Sequence, residues 1–157
     1  MGSLKTANSA PKGMEFRLGD GLEEIQRQKE LAIAQALEEY RKQKLLEYKN
    51  ELNSRAEKLK GSWQGQCVVA VRKFIGVSRS EIQGLAANLK TNSQTPEIGA
   101  IIKIETGYTD HVGVVIDYNN EFITYFDSNG DWSERAAIRN IKTSDKKILG
   151  FKIINKI

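Results

Sequence analysis

The sequence predicts an α+β fold: a long N-terminal helix, then short helices packed on one face of a small, curved antiparallel sheet. Three observations lead there. Residues 21–60 hold no proline and, after Gly21, no glycine; Glu, Lys, Gln, Leu and Ala dominate, all good helix formers. An apolar run follows Cys67 at once and predicts a helix over Gln66–Ile75. Beyond residue 92, four segments read as strands separated by turn signals. Helices first and hairpin-linked strands afterwards define the class.

The elements follow in chain order. Residues 1–20 are rich in Gly, Ser, Asn, Lys and Pro and read as a flexible arm. In the long helix, 21–60, apolar residues recur at Ile33, Leu37 and Tyr40, then at Leu45, Tyr48, Leu52, Ala56 and Leu59. These are two helical stripes with a phase break between Tyr40 and Leu45. Mixed charges fill the other face, as solvated helix surface does. So narrow a stripe needs a partner: another copy of the chain, the C-terminal domain, or a larger assembly. Gly61 ends this helix, and residues 61–157 are expected to fold by themselves as a second domain. A short helix is expected over Ser80–Leu89, with Ser80 as its N-cap. "NSQTPEIGAIIKIE" reads as loop, turn and strand; "HVGVVIDYNN" as a strand that turns at Asn119-Asn120; "EFITYFDSNG" as a strand stopped by Asn129-Gly130; "KKILGFKIINKI" as the last strand.

Totals narrow the classes. A chain of 157 residues can bury a core without staples. One cysteine forbids an internal disulfide and a cysteine-based zinc site. No apolar stretch is long enough to span a membrane, and the first residues lack the apolar core of a signal peptide. The net charge is +4, from 24 basic and 20 acidic residues. No segment is strongly one-signed, and no basic stripe with interleaved aromatics points to nucleic acid. A mild positive excess suits a polyanionic surface such as a cell wall.

The single cysteine and the single histidine both occupy suggestive places. Cys67 opens an apolar helix, where unpaired N–H groups and the helix dipole favour thiolate over thiol. A lone cysteine is also among the most buried and inert residue types. His111 begins a strand, and Asp127 and Asn129 lie two apart near the end of the next, which puts them on one face. If those strands form a hairpin, the face is one His111 can share. Nucleophile, base and orienter of the base then stand in order.

The pieces "GQC" at 65–67, "PEIGAII" at 96–102, "DHVGVVIDY" at 110–118, "ITYFDSN" at 123–129, "RAAIRN" at 135–140 and "ILGFKII" at 148–154 resemble a CHAP domain. That family is an amidase-peptidase relative of the NlpC-like and papain-like cysteine hydrolases. The resemblance covers about 61–157 and leaves 1–60 unexplained. It implies a papain-like fold with Cys67 as nucleophile and His111 as general base. Asp127 takes the acidic place, more often Glu in that family, and Asn129 the polar place two residues on. Either can orient the imidazole. Gln66, with the backbone N–H of Cys67, would donate to the oxyanion. Trp63, Tyr108, Tyr125 and Trp132 flank the motif pieces as groove residues for a sugar-peptide substrate. Some members bind calcium before the cysteine; no acidic residue occurs between Glu57 and Glu81 here, so no metal and no cofactor are expected.

The implied activity is cleavage of an amide bond in bacterial peptidoglycan, as an endopeptidase or an N-acetylmuramoyl-L-alanine amidase. With a long helical arm and no signal peptide, the expected setting is delivery by a larger particle, such as a phage tail or virion, to the cell wall. The docking element would be residues 21–60. The contrasting expectation is a catalytically inactive structural or adaptor protein of such an assembly.

Overall fold

A computed structural model describes residues 18–82 and 86–154, and the protein is α+β. Helix α1 (Leu18–Leu59) starts three residues before the expected Gly21, inside the segment read as an arm. The rest of that arm lies outside the described residues. Helix α2 (Cys67–Ile75) follows, then a 3₁₀ turn (Ala86–Asn88). The strands are β1 (Ile101–Glu105), β2 (Asp110–Tyr118), β3 (Phe122–Ser128), β4 (Ala136–Lys142) and β5 (Ile148–Lys152). They form one antiparallel sheet in the order β4-β3-β2-β1-β5.

Two elements differ from the sequence reading. Four strands were expected, and β4 makes a fifth. It pairs with β3 from Phe122↔Lys142 to Ser128↔Ala136. As an edge strand it is mostly half-buried or exposed, so it shows no clean apolar alternation to read. The helix expected at Ser80–Leu89 falls partly on residues 83–85, outside the described residues. Its described flanks are turns and the 3₁₀ turn. Ser78 rather than Ser80 caps there. Its Oγ accepts the Glu81 N–H at 3.4 Å while Glu81 Oε1 accepts the Ser78 N–H at 3.4 Å, a reciprocal pair that satisfies both donors.

Helix α2 is short and strongly one-sided. Gln66 is its extended N-cap, and Gly76 closes it in the left-handed region at φ 69°. Val68, Val71 and Phe74 bury against Val112, Val114, Ile116 and Phe126. The Phe74 and Phe126 rings stack with centroids 4.1 Å apart. A second cluster gathers Ile102, Val115, Ile123, Tyr125 and Phe151. Val114 and Val115 fall in different clusters, as the two-residue period of a strand requires. Both faces of the sheet are therefore apolar.

The chain divides into two units, one ending at Gln43 and one running from Lys44 to Ile157. The compact unit thus begins inside α1 and not at Gly61. Leu52 and Ala56 have no exposed surface and belong to the cluster under α2, with Tyr48 and Leu59 packed against it. Asn53 Nδ2 donates to the Ile116 carbonyl at 2.7 Å, Lys49 pairs with Asp117 at 3.0 Å, and Arg55 donates to the Phe74 carbonyl. From Tyr48 onward the second stripe of the helix joins the core, while Leu45 at its start is exposed. In the first unit, Leu22, Ile25, Ile33, Leu37 and Tyr40 are all exposed.

Removing residues 44–60 takes fully buried side chains out of the core. A chain starting at Lys44 is expected to melt cooperatively, and one starting at Gly61 to lose that transition. In the full chain, Leu52→Ala should cost about 2–5 kcal/mol, against less than about 0.5 kcal/mol for Ile33→Ala on the exposed stripe. Chemical denaturation of the variants measures both.

Candidate active site

The site is built where the start of α2 meets the beginning of β2 and the end of β3. The sheet brings His111, second residue of β2, beside Asp127, penultimate residue of β3. His111 Nε2 and Asp127 Oδ2 are 2.8 Å apart, and both side chains are buried. An imidazole has two nitrogens. With Nε2 on the carboxylate, Nδ1 is left for the Cys67 thiol, which lines the same cleft as the imidazole. The backbone N–H groups of Val68, in the first turn of α2, and Val112 also favour the ionised thiol.

A further cation completes the line. Arg139, from β4, places Nε 3.0 Å from both oxygens of Asp127. The order is thiol, imidazole, carboxylate, guanidinium. Gly130 lies close against the last pair. A Cβ there would stand 2.7 Å from Asp127 Oδ2 and 2.9 Å from Arg139 Nε, so no larger residue fits without moving them.

Electrostatics follow from these contacts. Burial pushes the Cys67 thiol up, but the hydrogen bond and charge of His111 and the two backbone donors outweigh it and hold the thiol below its ordinary value. Burial works against a charge on His111 too, yet its bonds to Asp127 and Cys67 raise it to about 9. The two shifts run in opposite directions and favour thiolate with imidazolium over thiol with neutral imidazole. For Arg139, partial burial lowers the affinity for the proton and the Asp127 charge more than restores it.

The loop before Cys67 is fixed from below. Ser128, fully buried, donates its Oγ to the Gly65 carbonyl at 2.6 Å. Gln64 and Gly65 N–H groups both donate to the Glu134 carbonyl, at 2.9 and 3.1 Å. Trp63 bridges to Arg135. The segment 61–66 is thereby stitched to the β3–β4 connection, and the cysteine with it.

Other expected residues fall differently. Asn129 does not continue the face of Asp127. β3 ends at Ser128, and Asn129 sits at φ 64°, where its Oδ1 accepts the Glu134 N–H at 3.0 Å. It shapes the turn and lines the cleft, and the contact to the imidazole belongs to Asp127. The cleft, of about 230 Å³, is lined by Cys67, His111, Asn129, Tyr108, Trp132 and neighbours. Tyr108 is 92 % exposed and Trp132 69 % exposed, and both stand on this rim. Tyr125 is a core residue and not a groove residue: it is 7 % exposed, and burial foremost pushes its phenol to about 12. Trp63 does not line the cleft; its indole donates to Glu134 at 3.2 Å. Gln66 is exposed, makes no side-chain hydrogen bond at the helix start, and is not a cleft residue. Arg139 and Ser128 were not read from the sequence. Arg139 stood inside the quoted "RAAIRN" piece, and only the strand assignment gives it a direction.

Among the described residues, no group of three or more His, Cys, Asp or Glu side chains could hold a metal ion. No helix among them is long and apolar enough to cross a membrane. No family model, curated protein or solved structure matches the chain.

Because Cys67 is the only cysteine, its alkylation reads the site directly. Reaction with iodoacetamide should proceed well below the ordinary thiol pKa of about 8.5. In His111→Ala the midpoint should rise to about that value, since the stabilising imidazolium is gone. An unchanged profile means the imidazole does not set the thiol. Separately, Ser128→Ala leaves the Gly65 carbonyl without its buried donor. Thermal and denaturant melts should show a loss of about 1–3 kcal/mol.

Proposed function

We propose that the chain is a CHAP-like, papain-like cysteine hydrolase that cleaves an amide bond in bacterial peptidoglycan, either within the peptide or between sugar and peptide. The observation that supports this most is the buried His111–Asp127 pair, 2.8 Å apart, beside the Cys67 thiol in one cleft, with the thiol lowered and the imidazole raised. A buried structural cysteine needs no such partners. In this reading Cys67 Sγ attacks the amide carbonyl. The developing oxyanion is met by N–H groups at the start of α2, including that of Cys67. The imidazolium of His111 gives its proton to the leaving amine nitrogen as the C–N bond breaks, leaving a thioester. Water then loses a proton to His111, attacks the thioester and releases a carboxylic acid and the thiolate. Tyr108 and Trp132 offer exposed rings at the rim for sugar or peptide stacking.

Delivery is proposed to rest on the first unit. Exposed Leu22, Ile25, Ile33 and Leu37 fit docking to a larger particle, such as a phage tail or virion, that carries the domain to the wall. The same exposed residues favour the second reading, a structural or adaptor protein without activity.

Digestion of purified sacculi, with mass analysis of the released fragments, separates the two. The hydrolase releases soluble fragments whose new termini name the bond, and Cys67→Ala and Cys67→Ser release none while melting like the parent. Activity should survive a strong chelator. It should fall as pH rises through about 9, where His111 loses the proton owed to the leaving amine. Fragment release by both Cys67 variants, or no release by the parent protein, would sink the proposal.

A further inference from the structure

Asp127 is fully buried yet touches two cations. His111 Nε2 lies 2.8 Å from one oxygen, and Arg139 Nε 3.0 Å from both. With Cys67 ionised, the four side chains alternate in sign: thiolate, imidazolium, carboxylate, guanidinium. Their charges cancel. His111 alone faces two anions and can neutralise one. Without Arg139 the buried group would hold a net negative charge, which a low-dielectric site resists. The thiolate is the more basic of the two anions, so it would take up the proton that relieves the excess.

Among the described residues, no other group performs this role. Asp131 acts on Arg139 but is fully exposed and acidic, so it competes for the cation. Tyr125, opposite Arg139 in the β3–β4 register, is neutral below about 12. Asp145 acts on Tyr125 and is acidic too. Asp110 lines the cleft and is already paired with Lys103 at 3.3 Å. α2 has no acidic residue in its first turn, and its Arg72 and Lys73 lie in its last.

We propose that Arg139 is a positioning residue that balances charge: as counter-ion to Asp127, it leaves the imidazolium of His111 to the Cys67 thiolate. The inference rests on reading Cys67 as the reactive thiolate. It adds a member from the edge strand to Cys67, His111 and Asp127.

The test uses the full chain and no substrate. The rate of Cys67 alkylation by iodoacetamide is followed against pH, with a melting curve for each variant. Arg139→Met should raise the midpoint by about one pH unit. Arg139→Lys keeps the charge and should stay near the parent. The double variant Arg139→Met with Asp127→Asn removes one charge of each sign, so its midpoint should return toward the parent. A role in shape alone predicts the opposite, with the double variant at least as far shifted as the single.

The outcomes separate. A parent midpoint at the ordinary thiol value of about 8.5 overturns the reading of Cys67 itself. A low parent midpoint that Arg139→Met leaves in place overturns the role of Arg139 alone. A double variant shifted as far as the single overturns charge balance. If Arg139→Met fails to fold, Arg139→Gln replaces it as the neutral single variant, and the lysine and double variants are read against it.

Discussion

The buried contact between His111 and Asp127 is the constraint around which the site is arranged. A carboxylate with no exposed surface must find its partners inside the protein, and both are supplied by neighbouring strands. β2 brings the imidazole and β4 the guanidinium, one on each side of β3. A slip of one residue in either pairing would turn a partner to the other face. Register is held by apolar residues on both faces of the sheet, so the packing of Val112, Val114, Val115 and Tyr125 also fixes the polar line. Gly130 shows how tight the fit is, because the volume of one methyl group there is already occupied by the carboxylate and guanidinium.

Local signals carried much of the architecture. Cys67 at a helix start, Gly76 at its end and the Asn119 turn are short-range features, and the structure places them where the residues suggest. What escaped was non-local. β4 lies at a sheet edge, so its side chains do not alternate between core and water. Without β4 there was no reason to aim Arg139 at Asp127. The inward position of Ser128 follows from its bond to Gly65, 63 residues away in sequence. Tyr125 was read as a groove aromatic because it flanks the motif pieces, which does not say whether its face of the strand meets water or core. Here the other face is a core as well.

The long helix teaches the same lesson. Its two stripes look alike in sequence, and the break between Tyr40 and Leu45 was their one difference. The boundary between the units falls at Gln43/Lys44, within that break. Leu52 and Ala56 repeat in phase with a core they reach, whereas Ile33 and Leu37 stay exposed. A helix can carry two stripes of different phase because each is set by its own surroundings.

The choice between Asp127 and Asn129 turns on backbone and not on side-chain chemistry. Both are short, and both were candidates for the second nitrogen of the imidazole. Alternation would have put them on one face had β3 continued. It stops at Ser128, and the left-handed Asn129 turns its amide oxygen to the Glu134 N–H. Asp127 stays in the strand, where a side chain one methylene shorter than Glu still reaches His111 at 2.8 Å. A shorter reach also keeps the carboxylate close to its own strand, within range of Arg139 on the next. Under the proposed hydrolase reading, the aspartate in a place more often held by glutamate is matched to the arginine beside it. Asn129, released from the imidazole, shapes the wall of the cleft.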